Sequence, residues 1–210
     1  MSSNPPHVDA WDSWHPRIVA ERLAGLAAPW YVAAGWAIDL FRGGQARAHE
    51  DLEIAIPADR FDEVAARFPD CDFYVPDDGH LRPLTAPRMT ASHQTWALSR
   101  VTGLWCVDVF REPHDGDRWV CRRDESIRLP YDEIIEHDPE GIPYLAPEYA
   151  LLFKAKLDRD KDRADLDAAL PRLSEARRRH LHDLLERVHP GHPWLALTSP
   201  DGLAERGGGE

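Results

Sequence analysis

The chain has 210 residues, enough for one sizeable core or for two small lobes that share an interface. Its 43% hydrophobic and 30% charged residues are ordinary for a folded globular protein, and 37 acids against 25 bases leave a net charge of −12. That balance argues against a nucleic-acid binder with a broad basic face and fits steering of a cationic small molecule or simple solubility. Cys71, Cys106 and Cys121 form no CxxC pair and no even disulfide framework. The first residues carry no apolar run of signal or membrane length, so the expected setting is cytoplasmic, with no membrane partner.

Residues 1–9 and 199–210 read as flexible ends. Asp12-Ser13 can cap a helix that runs to about Leu26, with Pro16 in its first turn and Trp11 and Trp14 as anchors. Trp30 to Ala34 reads as a strand that breaks at Gly35 into a short helix, Trp36 to Phe41, ended by Gly43-Gly44. Leu52 to Ile56 is a second strand, stopped by Pro57. Asp59 then caps a helix through Arg67. Asp72 to Val75 and Leu81 to Leu84 are strand candidates around a Pro76 to Gly79 turn, and His93 to Leu98 is another. Trp105 to Phe110 is rich in β-branched and aromatic residues and reads as a strand, with Trp119 to Cys121 expected to pair with it. After Pro147 the pattern turns helical: one helix from Pro147, one from Asp160 to Pro171, and one capped by Ser174 with Leu181, Leu184, Leu185 and Val188 on one stripe. The architecture expected is α+β: a mixed β-sheet lobe with flanking helices over residues 10–143, then a smaller helical region over 144–195.

The chemistry concentrates in two runs, Ala33-Ala34-Gly35-Trp36-Ala37-Ile38-Asp39 and Arg47-Ala48-His49-Glu50-Asp51-Leu52-Glu53-Ile54. Side chains alternate across a strand, so Leu52, Ile54 and Ile56 point into a core while His49, Asp51 and Glu53 share the other face. Two acids on one face of an apolar strand repel each other, and a divalent cation between them removes the repulsion. Asp108 is a third acid, on the strand face of Cys106 and Phe110. Taken alone it has two readings: an ion pair with Arg111 or Arg122, or membership of a three-carboxylate site.

These runs resemble the signature of the nucleotidyltransferase superfamily that includes DNA polymerase beta. The long spacer, Gly-Trp-Ala-Ile-Asp and Arg-x-His before the acids look like the aminoglycoside and lincosamide nucleotidyltransferase branch, enzymes of antibiotic resistance. Two positions depart from it: Ala34 stands where a first Gly is usual, and Glu53 where that branch more often has Asp. Tyr144 to Lys156 and Lys161-Asp162 resemble that branch's second block, and Trp119 and Arg122-Arg123 also match it without an assigned role.

The resemblance implies a nucleotidyltransferase fold, with Asp51, Glu53 and Asp108 as catalytic and metal-binding acids. It implies Gly35, Trp36, Arg47 and Lys154 on the nucleotide side. The expected cofactors are Mg²⁺, two ions by the usual mechanism, with ATP or another NTP as co-substrate. The expected reaction moves a nucleoside monophosphate, AMP first, onto a small-molecule hydroxyl of aminoglycoside or lincosamide type. A protein or RNA acceptor and a non-catalytic nucleotide-binding relative are the alternatives, and a basic groove beside Asp51 would favour RNA.

Overall fold

The structure, a computed structural model, describes residues 5–77, 80–85 and 92–199. Its organising element is an eight-stranded mixed sheet in the order β10-β11-β1-β2-β6-β5-β3-β4. The strands at its centre are β1 (Tyr31–Val32), β2 (Glu53–Pro57), β5 (Gln94–Ser99) and β6 (Trp105–Glu112). Toward one edge lie β3 (Cys71–Asp77) and β4 (His80–Pro83), and toward the other β10 (Ile135–His137) and β11 (Pro143–Leu145). A separate antiparallel sheet joins β7 (His114–Asp115), β8 (Arg118–Val120) and β9 (Arg128–Pro130). Among the described residues no helix is long and apolar enough to cross a membrane.

Two pairings place the chemistry. β2 runs parallel to β6 with Glu53 opposite Asp108 and Ala55 opposite Phe110. β1 is antiparallel to β2, and the Ala33 amide donates to the Glu53 carbonyl at 2.8 Å, so the turn after β1 lies against the first residue of β2.

The helices follow from local chemistry. α1 (Pro16–Arg22) starts at a proline, which needs no amide partner in the first turn. The expected start at Asp12-Ser13 is wrong, because those residues are recruited by β6. Asp12 and Trp14 donate to the Trp105 and Cys106 carbonyls at 2.9 and 3.0 Å, and His15 caps the helix instead. α2 (Ala34–Arg42) ends on Gly43, whose φ of 77° suits a residue without Cβ. It begins two residues earlier than expected, so Gly35 sits inside its first turn.

α3 (Phe61–Arg67) follows a 3₁₀ turn at Ala58–Arg60, with no side-chain cap from Asp59. α4 (Tyr131–Ile134) precedes β10. α5 (Pro147–Ala155) opens on Pro147 as expected. α6 (Asp160–Ala169) is held at its start by Asp162, whose Oδ2 accepts from the Arg159 amide at 3.1 Å. Ser174 caps α7 (Glu175–Val188), and α8 (Trp194–Thr198) packs on it.

Trp119 does not pair with β6. β8 pairs with β7 and β9, which leaves the edge of β6 to β2 and β5. The expected 76–79 turn falls partly on residues 78 and 79, outside the described residues. One core of buried residues, from Ile54 and Val109 in the sheet to Leu151, Leu181 and Leu185 in the helices, joins the sheet to the helical region. β11 crosses residue 143 and pairs parallel with β1, Val32 opposite Tyr144. The hand-over from sheet to helices therefore occurs after Leu145, where the chain leaves β11 and enters α5.

Candidate active site

A cleft of about 380 Å³ opens between the ends of β2 and β6 and the helices α5 and α6. Asp51 and Glu53 line it, with Gly35 and Arg47 from the α2 side and Lys154 and Lys161 from the helices. Asp108 lies behind this lining, 3% exposed, with Gln94 in front of it: Gln94 Nε2 donates to Asp108 Oδ2 at 2.7 Å, and Gln94 itself lines the cleft.

The ion-pair reading of Asp108 fails. Arg122 is turned to Glu112, Nε to Oε2 at 2.8 Å, and Arg111 Nε donates to Thr95 at 2.7 Å. Asp108 Oδ1 is buried without a hydrogen-bond partner; Trp96 stands near enough to ease its charge but bonds nothing through Nε1. Burial, with the negative charge of Asp51 adding to it and the Gln94 hydrogen bond opposing, pushes the Asp108 carboxyl up to about 7. Glu53 is driven well above the usual carboxylate range by burial and by Asp51 and Asp108, with Lys154 and Lys161 pulling the other way.

Asp51 opposes ionisation of both Glu53 and Asp108, Asp108 adds to the effect on Glu53, and Asp108 keeps an orphaned oxygen, which together make a hard-oxygen donor set of the kind Mg²⁺ takes. The residues therefore fit a divalent cation. Among the described residues, no three His, Cys, Asp or Glu side chains already stand as a closed ligand set. Converging acids hold apart by mutual repulsion until a cation draws them together.

The basic side of the cleft is largely pre-neutralised. Lys154 is buried, with Asp165 Oδ2 at 2.8 Å and Asp162 Oδ1 at 3.4 Å from its Nζ. Arg47 forks onto Asp165 at 3.1 and 3.0 Å, and Arg159 onto Asp162. Asp162 and Asp165 thus bind α5, α6 and the loop after α2 into one network. Their carboxyls lie below the usual range despite burial, because these cations face them.

Gly35 lines the cleft, and a Cβ there would stand 2.7 Å from His49 Cε1 and closer still to the Arg47 guanidinium. Trp36 does not line the cleft. Its ring lies on the far side of α2, with His49 stacked on it at 4.6 Å and His15 edge-on at 5.0 Å. Asp39 accepts from the Ala46 amide at 3.1 Å, and His49 Nε2 lies 2.6 Å from its Oδ2, so this acid orders the loop that delivers Arg47.

Ala34, the departure from the Gly pattern, has φ 51°, in the left-handed region that favours glycine. The backbone there takes a conformation that glycine adopts without strain.

Sequence reasoning gave no site role to Gln94, His93, Glu112 and Phe153, which line the cleft, or to the acids Asp162 and Asp165, which hold its cations. Gln94 opens β5, whose partners have no local signature, and His93 immediately precedes it. The spacing of Asp162 and Asp165 on one helix turn was the available signal for a shared cation.

The fold is one shared with adenylyltransferases of known structure. A family model described as aminoglycoside-2''-adenylyltransferase matches residues 17–85, which carry β1, α2, Asp51 and β2 with Glu53. Among solved structures, the chain is similar to the lincosamide antibiotic adenylyltransferase LnuA bound to lincomycin. Identity is 15% over 80% of this chain and 98% of that one, with a TM-score of 0.53. It is similar to ANT(2'')-Ia in complex with adenylyl-2''-tobramycin, at 13% identity over 80% and 94% of the two chains and a TM-score of 0.53. The solution structure of the antibiotic-resistance factor ANT(2'')-Ia gives 13%, 81% and 89%, with 0.52. No curated protein matches the sequence.

Proposed function

We propose that the protein is an Mg²⁺-dependent nucleotidyltransferase that moves a nucleoside monophosphate, AMP from ATP in the first instance, onto a hydroxyl of a small molecule. The observation that carries this reading is the register of β2 on β6. It sets Glu53 directly beside Asp108, with Asp51 at the mouth of the same cleft and cations facing them from α5 and α6. The family model over residues 17–85 and the adenylyltransferases of the same fold support it.

Asp51, Glu53 and Asp108 would hold the divalent cations, which when bound polarise the reacting phosphate and neutralise its charge. Lys161 and Arg159 reach the cleft from α6 and its N-cap, where Lys161 is 3.6 Å from exposed Glu50 and free to exchange that partner for a phosphate. Lys154 acts through the field it adds beside Glu53, since its ammonium is already bonded to Asp162 and Asp165. The unpartnered Oδ1 of Asp108, buried behind Gln94, is the oxygen left free for a cation.

The cleft is small-molecule sized. Five of its seven cationic side chains are already paired with acids, so it does not form the open basic groove that RNA would need.

The test is pyrophosphate release from ATP, GTP and UTP across a panel of aminoglycosides, lincosamides and other hydroxylated metabolites, with Mg²⁺ varied. Release that requires Mg²⁺ and an acceptor, and that disappears in Asp51→Asn with the fold intact, supports the reading. Absence of nucleotide binding with or without Mg²⁺ refutes it.

A further inference from the structure

The cleft has a second end that the metal-binding acids do not use. β6 carries Asp108, Phe110 and Glu112 on one face, and the turn after β8 brings Arg122 and Arg123 over the last two of them. Arg122 is fully engaged: Nε donates to Glu112 at 2.8 Å and Nη1 to His93 Nε2 at 2.9 Å. His93 accepts that bond with a neutral ring, since burial and the charges of Arg122, Arg123 and Arg111 push it down to about 4.

Arg123 is in a different position. It lines the cleft, yet its guanidinium makes no ion pair or hydrogen bond with any described residue, and its Nε is buried without a partner. Burial and the neighbouring charge of Arg122 work against its cationic form, and Glu112, whose carboxylate is already bonded to Arg122, offsets them only in part and without a direct contact. Phe153 lies under both guanidiniums, 5.6 Å from that of Arg123 and 4.9 Å from that of Arg122, and Leu157, 61% exposed, continues the same apolar wall. A half-buried cation without a counter-ion beside an aromatic wall is a costly arrangement that an amphipathic anion would relieve.

We propose that this end of the cleft is the acceptor subsite and that it selects a hydroxylated molecule with an apolar or aromatic body and an anionic group, a carboxylate or phosphate, that pairs with Arg123. This deepens the nucleotidyl-transfer reading and rests on it for the word acceptor. In-line displacement puts acceptor and leaving pyrophosphate on opposite sides of the reacting phosphorus. Lys154, Arg159 and Lys161 act electrostatically on Glu53 and Asp51, which marks the end of the cleft at the start of α6 as the pyrophosphate end, while Phe153 lies toward the other end, under the arginine pair. The opposite side runs from Asp108 through Gln94 and His93 to the arginine pair. A polycationic amino sugar placed there would meet a guanidinium that no carboxylate bonds directly.

The experiment uses three probes with one phenyl body and one hydroxyl that differ in charge: 3-phenyllactate, 3-phenyllactamide and phenylalaninol. Their affinities are measured by calorimetry or ligand-observed NMR on the parent, Arg123→Gln and Arg123→Ala, alongside Mg·ATP affinity and a melting curve for each protein. The expected order in the parent is anion, neutral, cation, with the anion favoured about tenfold or more over the amide, the scale of one charge-assisted hydrogen bond. Both variants should erase that gap, leave the amide unchanged and alter Mg·ATP binding by no more than about threefold. Equal affinities of anion and amide in the parent, or phenylalaninol binding first, overturn the proposal. So does a loss of Mg·ATP affinity in the variants as large as the loss for phenyllactate, because the anion held by Arg123 is then a nucleotide phosphate. A parent that binds no Mg·ATP refutes the nucleotidyl reading separately, while the charge series still decides whether the subsite takes anions.

Discussion

Replacing Asp108 with Asn tests the electrostatic account of the carboxylate cluster without any assay of activity. In the metal-free protein Asp108 is held at about 7, against about 4 for an exposed aspartate. The folded state therefore binds more protons than the unfolded chain between these values, and stability contributed by this group is lost as pH rises through that window. About three units at 1.36 kcal/mol each set a ceiling of about 4 kcal/mol for the penalty above pH 7. Asn keeps an acceptor for Gln94 but buries an amide N–H₂ without an assured partner, which costs about 1–3 kcal/mol. The net gain at pH 8 is then on the order of 2 kcal/mol, a rise of roughly 4–8 °C in melting temperature for a chain of this size. Melting Asp108→Asn and the parent in EDTA at pH 8 and pH 5 reads it directly. The variant should be the more stable at pH 8, and its advantage should shrink or reverse at pH 5, where the parent carboxyl is protonated. A variant that melts well below the parent at both pH values would show that the acid was a structural partner, and the cluster account would fail.

The departures from the family pattern give further tests. Glu53→Asp should keep part of the pyrophosphate-release activity and Glu53→Gln should lose nearly all of it; near-parental rates for Glu53→Gln at low Mg²⁺ would remove Glu53 from the metal ligands. Adding Mg²⁺ should raise the melting temperature of the parent more than that of Asp51→Asn, and an equal response would remove Asp51. Lys154→Ala should destabilise the fold by about 2–3 kcal/mol in chemical denaturation, below the usual cost of breaking a buried pair because Arg47 and Arg159 stay with Asp165 and Asp162. A Lys154→Ala protein with parental stability and weakened ATP binding would restore the direct phosphate contact expected from sequence. Ala34→Gly should stabilise by up to about 1 kcal/mol, the left-handed penalty relieved less the extra freedom Gly gives the unfolded chain, and a loss of stability would contradict the strain.

The parts of the fold legible in the sequence are those with a strong local signal. Period-two alternation marked β2 and β6, Pro147 and Ser174 marked helix starts, and Gly43 marked a helix end. The parts that were hidden depend on partners far along the chain. Asp12-Ser13 is a plausible cap in isolation, but β6 takes its backbone. Trp119 looks like a hairpin partner of β6 until β9 arrives to claim β8. Within the candidate site, the alternation that put Asp51 and Glu53 on one strand face, where they line the cleft, needs only the strand period, while the Gln94 that covers Asp108 has no local signature. Lys154, Arg47 and Trp36 were assigned by resemblance, and their surroundings were invisible: two aspartates on α6 for the cations, and the far side of α2 for the indole. No local pattern reveals that Arg123 lacks a counter-ion, because that is a property of everything packed around it.

β1 is only two residues long, yet it is the seam between the early and late parts of the chain. Val32 pairs on one side with Ile54 and on the other with Tyr144. The first contact closes a short loop, while the second waits until more than half the chain has been made. Closing the longer loop costs more chain entropy and is the slower event. During synthesis, β2 and β6 are therefore made and free to align well before α5 and α6 exist to supply the cations that soften their acids. An unfinished chain would hold its carboxylates together without counter-charge, so the growing protein should gain most from dissolved Mg²⁺ before its last third is added.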